Sequence, residues 1–285
     1  MRDDREAHGR AASIRLDAVR AIDVHVHVEA SVTTAPEDRR HPVLGVALPT
    51  VPDLAELYRG LGMAAVVFAV DAPHRLGHAV SNEEVAALAA EASDVLVPFA
   101  SVDPVRREDA AGTARRLVEE HGVRGFKFHP GVQGFFANDA RVYPLYEVLE
   151  ELGVPALFHT GQVGGGSGAR LKYCDPLALD DVAVDFPGLR IVMAHPSFPW
   201  QDVALSIAAT REHVYIDLSG WSPRYFPSQL VQHANTILKD KVMFGSDYPV
   251  ISPERWLADF EQAQFRPEVR ERILKSNAAR LLGLA

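Results

Sequence analysis

The sequence has a single cysteine, a deficit of positive charge and no long apolar run. Among 285 residues only Cys174 is a cysteine, so no disulfide can form within the chain, which fits a reducing compartment. Lys and Arg number 29 against 38 Asp and Glu, a net charge of −9, and this argues against nucleic acid, which requires a basic face. No apolar segment is long enough to cross a bilayer. We therefore expect a cytoplasmic protein that acts on a small molecule, without a nucleic-acid or membrane partner.

Short apolar runs alternate with segments of helical period through the chain. This alternation predicts a parallel sheet made of βαβ units. Eight units without a break in composition favour one closed α/β barrel of the (β/α)8 or TIM type over an open, doubly wound sheet. We expect a single barrel domain over residues 20–285, preceded by a flexible, polar segment over residues 1–19. The predicted strands span residues 22–27, 64–71, 95–103, 125–129, 155–161, 190–196, 214–220 and 242–249.

The first predicted strand carries two histidines, in the stretch "AIDVHVHVEA". Successive side chains of a strand point to opposite faces, so Asp23, His25 and His27 are expected on one face and the apolar residues on the other. Buried polar groups without partners cost a few kcal/mol each. This face is therefore either the solvent-exposed side of an edge strand or part of a functional site. The rest of the sequence must distinguish these two alternatives.

Polar residues recur near the carboxyl ends of the predicted strands. In a barrel these ends meet at one mouth, where such residues are typical of function rather than stability. Several histidines and a final aspartate at one mouth form a nitrogen and oxygen donor set suited to zinc or a similar divalent metal. The residues concerned are His25, His27, Asp71, Asp103, Lys127, His129, His159, His195, Asp217 and Asp247.

The sequence resembles the amidohydrolase superfamily, in particular the branch that contains both hydrolases and aminocarboxymuconate-semialdehyde-type decarboxylases. The matching motifs are "DVHVH", "GFKFHP", "FHTG", "AHPSFPW", "YIDLSGW" and "MFGSDYP", followed by "NAARLLGL" near the end. The resemblance extends over about residues 20 to 283. It implies a metal-dependent barrel enzyme, which agrees with the fold expected from the pattern.

The resemblance also implies roles for individual residues. His25 and His27 would be metal ligands from the first strand, His159 from the fifth and Asp247 from the eighth. His195 would either bind a second metal or handle protons beside a single one, and we favour the second role. The branch usually carries one metal, so we expect one divalent ion, zinc first and manganese second. The resemblance is also compatible with a homodimer.

Four further residues are candidates for substrate binding. Lys127 would bridge two metals if carboxylated, pair with a carboxylate or orient an anionic substrate. His129 would contact substrate or only cap a turn. Trp221 and Arg224 follow the seventh strand, where the family tends to place substrate contacts, although a packed tryptophan and a surface arginine are the alternative. The glycine-rich segment 162–174 is expected to form a flexible lid or a substrate loop.

The implied metal site supports two reactions. A bound divalent ion lowers the pKa of water and polarises a carbonyl oxygen. In hydrolysis, activated water would attack an amide, ester or lactone carbonyl of a small carboxylate-bearing substrate, with Asp247 moving the proton and His195 stabilising the oxyanion. The alternative is non-oxidative decarboxylation of an aromatic or muconate-type acid. We favour hydrolysis, because strand one reads "HVHVE" and the chain is short for such decarboxylases. A metal-free binding protein is the third reading.

Overall fold

The computed structural model describes residues 13–40, 45–76, 80–164 and 168–285. All eight predicted strands are present in these ranges, and every ladder between them is parallel. Most strands end before their predicted last residue, because the polar residues at their carboxyl ends belong to loops. The bounds are Ile22–His27 (β1), Ala64–Phe68 (β2), Leu96–Pro98 (β3), Phe126–Phe128 (β4), Ala156–His159 (β5), Ile191–Ala194 (β6), Val214–Asp217 (β7) and Val242–Met243 (β8).

Backbone hydrogen bonds connect the sheet of β1 to β3 with the sheet of β4 to β8 on both sides. Strands β1 to β3 pair in sequence, as do strands β4 to β8. Beside β3 and β4, the Ala100 N–H donates to the Gly125 carbonyl at 2.9 Å. Beside β8 and β1, the Asp247 N–H donates to the His25 carbonyl at 3.0 Å. The fold is therefore the α/β (β/α)8 barrel that the alternating pattern predicts.

Helices follow the strands and cover the outside of the barrel. Most of the apolar core lies between the strands and these helices, and a second apolar cluster fills the barrel interior around Val24, Phe68 and Val97. Among the described residues, no helix is long and apolar enough to span a membrane. The α-helices are Val51–Leu61 (α1), Pro73–Leu76 (α2), Asn82–Glu91 (α3), Ala110–His121 (α4), Pro130–Gln133 (α5), Tyr143–Glu151 (α6), Leu177–Asp185 (α7), Gln201–Thr210 (α8), Ser228–Ala234 (α9), Pro253–Gln262 (α10), Pro267–Glu271 (α11) and Asn277–Leu281 (α12).

Part of the predicted N-terminal segment packs on the barrel. Ile14 and Val19 are buried, in the same apolar cluster as residues of α12. The Ser13 N–H donates to the Ser93 carbonyl at 2.9 Å. Residues 1–12 lie outside the described residues, so the domain boundary after residue 19 stays a prediction.

Candidate metal centre

The first strand changes face between Asp23 and His25. Its pairing with β2 shifts between Asp23 and Val26, as expected of a β-bulge. Asp23 accepts a hydrogen bond from the Tyr58 hydroxyl of α1 at 2.6 Å, whereas the His25 ring contacts Phe68 in the barrel interior, with centroids 5.2 Å apart. The prediction that Asp23 shares the face of the two histidines is therefore wrong, because alternation does not continue through the bulge.

Three predicted ligand atoms converge at the mouth of the barrel. Asp247 Oδ1 lies 3.2 Å from His25 Nε2 and 3.2 Å from His27 Nε2. Ligands about 2.1 Å from a tetrahedral ion are about 3.4 Å from one another, so this spacing fits three ligands of one cation. The common contact with Asp247 also shows that His25 and His27 share a side.

Hydrogen bonds fix which nitrogen of each histidine is available. His25 Nδ1 lies 3.0 Å from Asp217 Oδ2, and His27 Nδ1 lies 3.2 Å from Glu29 Oε1. An ionised carboxylate only accepts hydrogen bonds, so each Nδ1 carries the proton and donates it. Each Nε2 is left to bind a cation, and the carboxylate partner increases its basicity.

The protonation of the cluster shows how strongly it attracts positive charge. Burial alone lowers the pKa of His27, but hydrogen bonds and charges from Asp247 and Glu29 raise it to about 9. Burial alone raises the pKa of Asp247, but hydrogen bonds from His25 and His27 hold it well below its usual range. A carboxylate that holds a proton on a buried imidazole occupies a place suited to a divalent cation. The residues present therefore fit the metal that the family resemblance implies.

A second pair of imidazoles faces each other beside this cluster. His195 Nε2 lies 2.9 Å from His159 Nδ1. The outer nitrogens contact backbone acceptors, because His195 Nδ1 lies 3.0 Å from the Ser219 carbonyl and His159 Nε2 lies 3.1 Å from the Gln162 carbonyl. Two neutral rings supply two N–H donors for these three contacts, so one contact lacks a donor.

Neither ring readily takes the missing proton. Burial lowers the pKa of His195 to about 4 and that of His159 well below its usual value. With both outer N–H groups donated to carbonyls, two lone pairs meet at the central contact. A cation there would satisfy both. His159, however, is not within the group formed by His25, His27 and Asp247, whose ligand atoms all lie within 4.8 Å of one another.

The backbone is strained where two of these residues leave their strands. His195 follows β6 with φ of 73°, and Asp247 follows β8 with φ of 66°. Residues other than glycine adopt this left-handed region at a cost of about 1 kcal/mol or more, and such residues cluster at functional sites. Gly220 has φ of 71°, and a Cβ there would lie 2.7 Å from His195 Nδ1. The chain thus needs glycine to let the loop after β7 approach the imidazole.

His129 stacks on the His159 ring and cannot bind the same metal ion as His159. The two rings stack with centroids 3.9 Å apart and planes inclined by 9°. A ring nitrogen binds a metal in its own plane, so two parallel rings cannot direct lone pairs at one ion. The nearby Cys174 is buried, which raises the pKa of its thiol to about 12. His129 Nδ1 is buried without a hydrogen-bond partner among the described residues.

Lys127 reaches the first ligand from β4. Its side chain is fully buried, and Nζ lies 3.0 Å from His25 Nε2 and 5.2 Å from the Phe68 ring centroid. Burial lowers the pKa of Lys127 to about 8. Lys127 therefore contacts an imidazole. Within the described residues it does not pair directly with a carboxylate, which was one of the predicted alternatives.

A cavity of about 450 Å³ opens in front of His159, His195 and Asp247. Trp221 lines it, as predicted, and so do Gln162, Val163 and Gly164 of the predicted substrate loop; residues 165–167 of that loop lie outside the described residues. Arg224 does not line this cavity. It borders a separate one beside α9, because the short helical turn Pro223–Tyr225 directs it away.

The structure places three residues here to which the sequence gave no individual role, although Asp217 is among the polar strand-end residues expected at the mouth. Asp217 holds His25 through Nδ1, and Ser219 contacts His25 Nδ1 at 3.0 Å and His195 Nδ1 at 2.9 Å. Arg255 lines the cavity from α10. A polar residue at the end of β7 was the available signal for Asp217. Ser219 lies within the quoted motif "YIDLSGW", which gave it no role of its own, and nothing in the sequence indicated Arg255.

Comparisons with known proteins agree with the fold. The family model described as amidohydrolase matches residues 22–284. Among solved structures, an uncharacterized TIM-barrel protein from Bordetella bronchiseptica is 27% identical with a TM-score of 0.77, covering 92% of this chain and 98% of that one. No curated protein matches at a significant level.

Two more distant structures have names that state a reaction. A dihydroxybenzoic acid decarboxylase from Polaromonas, with bound manganese, is 17% identical with a TM-score of 0.70, covering 93% of this chain and 97% of that one. A probable 2-pyrone-4,6-dicarboxylic acid hydrolase from Acinetobacter baumannii, with citric acid bound, is 17% identical with a TM-score of 0.63, covering 93% and 100%. At this identity the likeness concerns the fold alone.

Proposed function

The chain belongs to the amidohydrolase family, and from this premise we propose that it is a metal-dependent hydrolase of a small, carboxylate-bearing substrate. Water would attack an amide, ester or lactone carbonyl. The observation that carries the proposal is the convergence of His25 Nε2 and His27 Nε2 on Asp247 Oδ1, each at 3.2 Å, beside a cavity that Asp247 also lines.

We propose one divalent ion per chain, held by His25, His27 and Asp247, with His159 as a further ligand. Zinc suits imidazole and carboxylate donors, and manganese is the second choice because the similar decarboxylase structure contains it. When bound, the ion would lower the pKa of water and polarise the substrate carbonyl. The contact of Lys127 with His25 leaves room for the two-metal alternative, in which a carboxylated lysine bridges the ions.

Asp247 is the proposed general base. One oxygen, Oδ1, faces the two imidazoles, while a Cβ on Gly220 would lie 3.1 Å from Oδ2, so this second oxygen lies at the wall of the cavity. Because its pKa is well below the usual value, the group is a carboxylate at neutral pH and can accept a proton from water. It would then pass the proton to the leaving group.

His195 is the proposed partner of the substrate's reacting group. The Nδ1–H is used by the Ser219 carbonyl at 3.0 Å, and burial lowers the ring's pKa to about 4. A neutral ring in this tautomer accepts at Nε2 and does not donate there. His195 Nε2 would therefore act as a hydrogen-bond acceptor for the substrate or its attacking water, whereas stabilising an oxyanion would require the protonated ring.

Decarboxylation of an aromatic carboxylic acid is the second candidate. Its support is the dihydroxybenzoic acid decarboxylase among the similar structures and the Trp221 side chain on the cavity wall, against which an aromatic ring could pack. The same residues would then bind the substrate carboxylate and protonate carbon. A small-molecule substrate, a cytoplasmic location and a homodimer remain predictions from the sequence.

A screen with two readouts tests the proposal. Protein loaded with zinc or with manganese is incubated with carboxylate-bearing amides, esters and lactones and with dihydroxybenzoic acids. Acid production and carbon dioxide release are measured in parallel. We expect acid without carbon dioxide, and no turnover by Asp247→Ala, which controls for contaminating enzymes. Carbon dioxide release from a dihydroxybenzoic acid would replace hydrolysis by the second candidate, and no turnover of either class would contradict both.

A further inference from the structure

Arg255 is the one permanently charged cation among the described residues that line the cavity. Asp247 is the one carboxylate among these lining residues, and its Oδ1 faces His25 and His27. Arg255 places a positive charge on the side of the cavity formed by α10.

The guanidinium has no carboxylate partner among the described residues. Some other arginines of the chain do, since Arg270 pairs with Glu261 at 2.9 Å and Arg211 pairs with Asp180 at 2.7 Å. An arginine presents five N–H donors in a planar fork that matches a carboxylate. Arg255 thus has its donors available at the edge of the cavity.

The position of Arg255 is unusual for a residue that serves only the helix. Ser252 is the N-cap of α10, and its Oγ accepts a hydrogen bond from the Arg255 N–H, which places Arg255 at the third helical position. Glu or Gln is favoured there, as in a capping box, and a cation near the positive end of the helix dipole is disfavoured. In α1 and α3 this chain uses the expected acids, Asp53 and Glu84.

The next residue holds the first turn of α10 in place. Trp256 is fully buried, donates from Nε1 to the Leu218 carbonyl at 3.3 Å and packs on Phe244 with ring centroids 4.5 Å apart. Leu218 directly follows β7. The backbone that carries Arg255 is therefore fixed to the same part of the barrel that carries Gly220 and Trp221.

We propose that Arg255 binds a second carboxylate of the substrate, remote from the metal ligands, and so selects substrates with an anionic group beyond an apolar body. The apolar body would lie along Trp221, Val250 and Ile251, which line the cavity with Arg255. This inference rests on the proposed function, because it assumes that the reacting group of the substrate lies at the metal ligands. Arg255 is a specificity residue and takes no part in proton transfer.

Three metal-binding probes test this role. Benzohydroxamic acid chelates a divalent ion through its hydroxamate, and its 4-carboxy and 4-carbamoyl derivatives place a charged or a neutral group at the far end. Binding to the zinc-loaded protein is measured by calorimetry, with the 3-carboxy isomer and its 3-carbamoyl counterpart included to vary direction. We expect one carboxy isomer to bind about 10-fold or more tightly than its carbamoyl counterpart, the scale of a hydrogen-bonded charge pair.

Variants then assign the gain to Arg255. Arg255→Ala should bind the carboxy and carbamoyl probes equally, and Arg255→Lys should keep part of the difference. Arg266→Ala removes the same charge from an exposed position at the start of α11, outside the cavity. This control variant should keep the full difference in affinity between the carboxy and carbamoyl probes. Equal affinities in the wild type, or a difference that persists in Arg255→Ala, would overturn the proposal.

The probe without a substituent separates this failure from failure of the proposed function. If benzohydroxamic acid does not bind, the metal centre is wrong, and the inference that rests on it is overturned as well. If it binds and neither carboxy isomer gains affinity, only the role of Arg255 is refuted.

Discussion

Replacing Asp217 by asparagine tests how the barrel holds its first ligand. Asp217 is fully buried at the end of β7. One oxygen accepts from His25 Nδ1–H at 3.0 Å, and the other accepts from the Ser219 N–H at 2.9 Å and the His195 N–H at 3.3 Å, as well as from the Ser219 hydroxyl. Asparagine keeps the shape but has one acceptor oxygen and an NH2 donor.

Both orientations of the new amide are unfavourable. With its oxygen toward His25, the NH2 group faces the backbone donors of Ser219 and His195, and each unsatisfied buried donor costs about 1–3 kcal/mol. With its NH2 toward His25, the imidazole must carry its proton on Nε2, the nitrogen that would bind the metal. We therefore expect a loss of about 2–4 kcal/mol in the free energy of unfolding and of about 10- to 100-fold in metal affinity.

Two measurements on Asp217→Asn check these values. Urea unfolding gives the stability of the metal-free protein, and competition with a chelator gives the zinc affinity. Asp180→Asn is the control, because it removes a partly exposed ion pair with Arg211 that contributes about 1 kcal/mol and lies away from the site. Wild-type zinc affinity in Asp217→Asn would refute the claim that Asp217 sets the tautomer of His25.

Three further predictions concern the site. His195→Ala should keep most of its metal by elemental analysis and lose about 10²- to 10⁴-fold in turnover; metal lost in proportion to activity would make His195 a ligand. Asp247→Asn should keep a substantial fraction of the metal while turnover falls by about 10² or more and the acidic limb of the pH–rate profile flattens or moves; near-normal turnover would reassign proton transfer to His195. Cys174 should resist iodoacetamide at pH 8 in the folded protein and react after unfolding, because its buried thiol, with a pKa raised to about 12, stays protonated; rapid modification of the folded protein would contradict its burial.

The strand pattern was sufficient to predict the barrel, because strand and helix periods differ and the eight apolar runs are well separated. It could not predict where β1 changes face. The bulge after Asp23 depends on pairing with β2, and this contact between distant segments leaves no local pattern. Strand ends were overestimated for a similar reason, since a polar residue such as Asp247 follows the ladder of β8 rather than belonging to it.

Site residues that lie in a recognisable motif could be predicted from the sequence. Residues whose side-chain direction depends on the packing of a loop could not. The spacing of His25 and His27 predicts a shared side, and their common contact with Asp247 confirms it. Arg224 was a candidate from the sequence and borders a separate cavity, whereas Arg255, which the sequence did not single out, lines the cavity beside the metal ligands. The direction of a loop depends on packing between distant residues, which a single sequence does not display.

The metal content of the purified protein tests the central claim most directly. Elemental analysis of the wild type and of His25→Ala, with circular dichroism to confirm that both are folded, gives the ion count per chain. We predict about one divalent ion per wild-type chain and a folded, metal-depleted and inactive His25→Ala, because the core lies between the strands and helices, away from the mouth. A metal-free wild type with full activity would contradict the account, and two ions per chain would favour a bridging Lys127.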